Sequence, residues 1–227
     1  MKKEPSKLDL WYAAENTKII SMPSRRLETF GATILTYHMI SEFMDSVGKV
    51  RVREGRIHAG RPEIVTPYAL SEKMLEGFGE EAQRYAEFLK DHAEHLKILK
   101  YGFQIRKEEI SQHVVTEHID TVAERVTEDV RVKADPFAAV ITGVDDLWEV
   151  CLLRLIERVV QGSVDGNVGE LERRGMFARA ASSEIESAFE AARRDSSMIG
   201  QLAELLKSRG VFEDYEDRFF ALIKSSN

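Results

Sequence analysis

The residues best suited to chemistry lie between Val47 and Arg61, in VGKVRVREGRIHAGR, where Lys49, Arg51, Arg53, Arg56 and His58 recur at short spacing. Guanidinium groups present paired N–H donors that match phosphate and carboxylate oxygens, so such a set can hold an anion. Glu54-Gly55 stands between two alternating runs and reads as a two-residue hairpin turn, with Gly55 supplying the positive φ such turns need. The register that follows sets Arg53 opposite Arg56, Arg51 opposite His58 and Lys49 opposite Gly60, with Val52/Ile57 and Val50/Ala59 on the other face. Like charges facing each other across a ladder are destabilising. This basic face is therefore expected to meet acid, either the protein's own carboxylates or an anionic partner. Arg25-Arg26, beside Pro23, extends the patch. Aromatic residues near it are few, Phe30 and Tyr37, and Tyr37 falls on the core side, so a base-stacking RNA-recognition sheet is not expected.

Other reactive side chains have simpler structural readings. His92 and His95 share a helix with Asp91 and Glu94, and His113, Glu117 and His118 follow a strand. The His-Glu-x-x-His order that sets two ligands and a base on one helix face is missing, so no metal is expected. Asp145-Asp146 with Glu149 contains the carboxylates of a Mg²⁺ or proton-transfer cluster, but a helix capping box accounts for the same residues. Cys151, inside LWEVCLLRLIERVV, is expected to be a small buried hydrophobe and not a nucleophile. Gly162, Gly166 and Gly169 in QGSVDGNVGEL lack the Walker spacing and its Gly-Lys-[Ser/Thr] ending, and read as a connector between helices with Asn167 as N-cap. No cofactor follows from any of these groups.

The elements that must position them follow from periodicity. After a loose N-terminus over 1–16, Thr17 to Met22 reads as a strand stopped by Pro23-Ser24. Thr33 to Phe43 reads as a longer one, with Leu35, Tyr37, Met39 and Phe43 on one face and Thr36, His38 and Glu42 on the other. With the hairpin, these make an antiparallel meander over 17–66, and Pro62 demotes Glu63-Ile64-Val65 to an edge or an exit. Helices are expected from Thr66-Pro67 to Gly77, over 80–101 and over 117–132, with a return strand at 103–115 and a short helix started by Asp135-Pro136. Asp146 opens the most apolar helix, to Val160, expected to be buried on most sides. Three helix stops share one pattern, Ile98 before Gly102-Phe103, Leu171 before Gly175-Met176 and Leu206 before Gly210-Val211, in which a left-handed glycine lets the next apolar residue touch back. Helices at 179–194, 197–209 and 213–225 close the chain, the last with Phe212, Tyr215, Phe219, Leu222 and Ile223 at helical spacing.

Strands first and helices later give an α+β class, an N-terminal antiparallel meander packed against a helical layer. The core is expected over 17–177, comprising the meander and, from 67 to 177, helices and the return strand. A helical C-terminal appendage follows over 178–227. The 227 residues are 43% hydrophobic and 31% charged, with net charge −7. The first 66 residues carry 11 Lys and Arg against 8 acids, and the remainder 21 against 31, so the basic surplus lies in the first third. A single cysteine excludes an internal disulfide framework and fits a reducing compartment. The charged, proline-broken start is read as neither signal peptide nor anchor, and no window approaches a membrane span, so a soluble cytoplasmic protein is expected. The leading functional expectation is a non-enzymatic binding protein whose basic hairpin meets RNA or an acidic protein surface. The alternatives are a helical assembly module, including a homo-oligomer, and an enzyme on a small phosphorylated or carboxylated substrate with Arg51, Arg53 and Arg56 as clamps and His38 or His58 as acid/base.

Overall fold

The structure is a computed structural model that describes residues 6–43, 48–65 and 98–226. In chain order its elements are α1 (Lys7–Glu15), β1 (Lys18–Ser21), β2 (Thr33–Glu42), β3 (Val50–Ala59), β4 (Glu63–Val65), β5 (Ile98–Lys100), β6 (Phe103–Ile105), β7 (Ser111–Val115), α2 (Ile119–Lys133), β8 (Ala138–Val144), α3 (Trp148–Arg173), α4 (Met176–Arg194), α5 (Ile199–Ser208) and α6 (Phe212–Ser226). The class is α+β. Two compact units divide the chain, one of Met1–Pro62 with Tyr101–Asn167, the other of Glu63–Lys100 with Val168–Asn227. The expected boundary at 177–178 falls inside the second.

The first unit is built on a mixed sheet in the order β1-β8-β2-β3-β6, with β7 also on β3. This corrects the simple meander: β8 runs parallel to β2 and separates it from β1, to which β8 is antiparallel. Asp135-Pro136 does not start a helix. Asp135 accepts a hydrogen bond from the Phe137 N–H at 2.9 Å, a local turn that delivers the chain into β8. Ala138 to Ile141 are all buried, as expected of a strand covered on both faces, and such a strand shows no alternation to read.

The hairpin is the main correction. Val50–Ala59 is one continuous strand paired along its whole length with β2, so Glu54 faces His38 and Gly55 faces Tyr37 across the ladder. Gly55 does not take a positive φ. Its missing Cβ serves another purpose, because a Cβ there would stand 2.6 Å from the Tyr37 hydroxyl. The β2–β3 connection lies further back, where the Phe43 N–H donates to Lys49 O at 3.1 Å and Gly48 has φ 78°. In a continuous strand residues 53 and 56 point to opposite faces, so Arg51 and Arg53 are separated from Arg56 and His58.

The two faces carry two cores. On one, Leu35, Tyr37, Met39, Ile57, Ala139 and Ile141 pack against Cys151, Leu152, Leu155 and Val159 of α3. On the other, Ile40, Val50, Val52 and Val140 pack against Val122, Ala123 and Val130, the apolar face of α2, within the helix expected over 117–132. The N-terminus is not loose over its whole length. Ser6 and Asp9 form a reciprocal capping box that starts α1, and Ala13 is fully buried.

Helix α3 begins at Trp148, not Asp146, after a 3-10 turn over Asp145–Leu147, and runs unbroken through Gly162, Gly166 and Gly169. The buried stripe Leu155, Val159, Ser163, Asn167, Leu171 explains why: it keeps the four-residue spacing past Val160, but two members are polar. Each is satisfied. Ser163 Oγ donates to Val159 O at 2.7 Å and accepts from the Leu27 N–H at 3.1 Å, while Asn167 accepts from Thr29 and donates to the Tyr101 hydroxyl at 2.9 Å. Nor is α3 buried on most sides, since Leu153 is exposed; it packs through one stripe.

In the second unit β4 and β5 form a two-stranded antiparallel sheet. Ile98–Lys100 is therefore strand and not the end of a helix, while the helices expected within 66–97 lie outside the described residues. Helices α4, α5 and α6 close a core of Ile185, Phe189, Leu202, Leu205, Leu206, Phe219 and Leu222. Gly175 and Gly210 take φ 64° and 65° at two of the expected stops, and the Val211 N–H donates to Leu206 O at 3.1 Å as the Schellman pattern requires.

Candidate functional site

Arg51 and Arg53 lie on the α3 face of the sheet, where Asp145 meets both. Asp145 Oδ2 accepts from Arg51 Nη1 at 2.5 Å, and Oδ1 accepts from Arg53 Nη1 at 2.6 Å and from Ser41 Oγ at 2.7 Å. Arg53 is buried and its guanidinium lies over the Trp148 ring, while that of Arg51 lies 4.2 Å from the centre of the Phe43 ring. Burial alone would raise the Asp145 pKa, but the hydrogen bonds from Arg53 and Ser41 and the two guanidinium charges outweigh it and hold the carboxyl below its usual range. Asp145 thus gives these two cations an internal partner. The sequence signal for it was the Asp145-Asp146 pair, in which the first acid, not the second, turns inward.

Other members of the expected anion-binding set are dispersed. Lys49 is exposed beside the β2–β3 connection. His58 Nε2 lies 2.7 Å from Glu109 Oε2. Arg25 sits 3.6 Å from Glu28 and over the Phe137 ring, and Arg26 lies against α3 at Gly166. His92 and His95 lie outside the described residues.

Arg56 belongs to a different constellation on the α2 face. Thr36, His38, Glu54 and Arg56 project from the β2–β3 ladder. Glu109 and Ser111 come from the β7 side, and Val130, Lys133 and Asp135 from the end of α2, so that together they line a cleft of about 350 Å³. The local reason is the even-numbered face of the sheet. Ile40 and Val52 are covered by α2, but the helix ends at Lys133, where Ala134 turns left-handed, and leaves the positions beyond uncovered.

His38 is buried in the floor, with Nδ1 3.7 Å from Glu54 Oε2. Burial pushes its pKa down; the Glu54 charge works against this and the Lys133 charge with it, and the balance favours the neutral ring. The Glu109 carboxyl is held low by its hydrogen bond with His58 and by nearby Arg106 and Arg56. Chemically, the cleft offers two cations, three carboxylates, two hydroxyls and a neutral imidazole. Sequence reading singled out Arg56 and His38 but not Lys133, Asp135, Thr36 or Ser111. The alternation of Thr36, His38, Glu54 and Arg56 was legible, yet the turn assigned at Glu54-Gly55 broke it. Among the described residues no helix is long and apolar enough to cross a membrane. Compared with known proteins, the chain matches no family model, no curated protein and no solved structure.

Proposed function

We propose that the first unit binds a small polar molecule of mixed charge, of the amino-carboxylate class, in the cleft over β2 and β3. The observation that carries this reading is the convergence of Arg56 and Lys133 with Glu54, Glu109 and Asp135 around His38. A cleft lined by both signs favours a ligand that carries both, whereas an anionic polymer meets three carboxylates there. Its volume suits a small molecule. Arg56 is assigned to the ligand's carboxylate. Glu54 and Asp135 are assigned to its amine, beside the partial negative charge at the C-terminal end of α2. His38, neutral and beside Glu54, supplies a hydrogen bond, and in an enzymatic form of this reading it is the acid/base.

The alternative of a basic face for RNA or an acidic protein surface draws its support only from dispersed cations, because Arg51 and Arg53 already share Asp145. A cytoplasmic location and self-association belong to the same alternative. The test is a thermal-shift and NMR titration of the full chain with α-amino acids, matched simple amines and matched carboxylates. Zwitterions are expected to raise the melting temperature more than either half alone, and Arg56→Ala to remove the effect. If no zwitterion shifts the transition, or Arg56→Ala responds as the parent does, the reading fails.

A further inference from the structure

Two features that the first cleft leaves unused, the Arg25-Arg26 pair and the glycines of α3, meet at a second cleft. It has a volume of about 340 Å³ and is lined by Arg25, Arg26, Gly162 and Ser163, with Met22 and Val159 as an apolar wall. Glycine is the poorest helix former after proline, so Gly162 and Gly166, one turn apart inside an unbroken helix, need a reason. At 166 the reason is Arg26, because a Cβ there would overlap its guanidinium Nη1. The missing Cβ thus leaves room for Arg26 to lie against the helix backbone. At 162 a Cβ would meet nothing within 4 Å and would project into open space beside the cleft.

We propose that this cleft is a binding site for a phosphate monoester with a small apolar organic group. The two guanidiniums take the phosphate, and Met22 and Val159 take the apolar part. Arg26 packs against the α3 backbone at Gly166, and a side chain packed in this way has less freedom to lose on binding. Arg25 lies over the Phe137 ring and makes an exposed contact to Glu28 at 3.6 Å, an ion pair of small worth that a phosphate can displace. Among the described residues that line the cleft there is no carboxylate, in contrast to the mixed-charge cleft over β2 and β3. The proposal does not rest on the amino-carboxylate reading.

The test titrates the full chain with inorganic phosphate and with phenyl phosphate, read by ³¹P line broadening and calorimetry. Saturable binding is expected, several-fold tighter for phenyl phosphate. Gly162→Leu adds bulk at the cleft wall, at a position where a Cβ meets nothing within 4 Å. It is expected to weaken binding tenfold or more while thermal stability stays level or rises. Arg25→Ala, at an exposed side chain, is expected to do the same, and Arg56→Ala to leave phosphate binding unchanged. The proposal is overturned if neither probe binds saturably, if Gly162→Leu and Arg25→Ala bind like the parent, or if an RNA oligonucleotide binds where phenyl phosphate does not.

Discussion

Arg53 and Asp145 stand 92 residues apart in sequence and form a buried ion pair, Nη1 to Oδ1 at 2.6 Å, that ties the middle of β3 to the entrance of α3. Removing one partner of such a pair leaves the other charge desolvated and unmatched, which costs more than the pair itself contributes. Asp145→Ala is therefore expected to destabilise by about 3 kcal/mol or more, since it strands both Arg53 and Arg51. Arg53→Met should cost less, because Asp145 retains Arg51 and Ser41. Urea unfolding of the two variants checks the order; equal losses would show that Asp145 does not serve both cations.

The same carboxyl sets an acid limit. Its folded pKa lies below the ordinary aspartate value, so its stabilisation is complete above about pH 4 and is lost as pH falls through the folded value. The parent should lose stability steeply in that range. Asp145→Asn should be less stable at neutral pH and show a shallower acid limb in a chemical denaturation series.

Tyr37 is fully buried, its hydroxyl oxygen has no hydrogen-bond partner among the described residues, and burial pushes its pKa up to about 12. An unsatisfied buried hydroxyl costs about 1 to 3 kcal/mol, so Tyr37→Phe should be neutral or stabilising by about 1 kcal/mol. Gly55→Ala should destabilise by about 1 to 3 kcal/mol through overpacking, because the added Cβ meets the Tyr37 hydroxyl at 2.6 Å and its ring at 2.8 to 2.9 Å. The two changes share one contact and should not be additive. A double-mutant cycle in which Tyr37→Phe recovers part of the Gly55→Ala loss is the expected result.

That contact also marks where sequence reading failed. Alternation on both sides of Glu54-Gly55, the faces of β2 and the helix α2 are legible in the sequence, because each rests on local periodicity. A glycine in mid-strand carries the same letters as a glycine in a turn. Only the partner strand, with Tyr37 directly opposite, decides between them. Strand β8 was lost for a related reason, since a strand covered on both faces has no polar side to alternate with. Helix α3 was cut at Val160 because Ser163 and Asn167 break the apolar pattern, although Leu27, Thr29 and Tyr101 satisfy them from afar. The candidate site was half legible. Arg56 and His38 were named, while Lys133 and Asp135 join them only because α2 ends above the ladder.

His38 should leave a signature in stability against pH. Its folded pKa is lowered by burial, whereas an unfolded histidine titrates near 6.5. As pH drops below about 6.5 the unfolded chain binds a proton that the folded chain refuses, so stability falls until the folded value is reached. His38→Gln should flatten this slope. Denaturation midpoints between pH 8 and pH 5 that fall equally in parent and variant would contradict the assignment.

The apolar face of α6 docks within its own unit. Phe219 and Leu222 are buried against α4 and α5, Phe212 and Phe219 meet edge to face at 5.4 Å, and the Arg218 guanidinium lies over the Phe189 ring while pairing twice with Glu186. This is the five-residue stripe expected from spacing, with its members in a core rather than presented to solvent. Phe219→Ala should cost about 3 kcal/mol, the range for a truncated core aromatic. The salt bridge is half exposed and should matter far less: Glu186→Gln is expected to shift stability by about 1 kcal/mol at most. Hydrogen exchange followed residue by residue locates the damage. Phe219→Ala should speed exchange throughout α4, α5 and α6; faster exchange confined to α6 would mean that this helix packs as a separable element and not as part of a three-helix core.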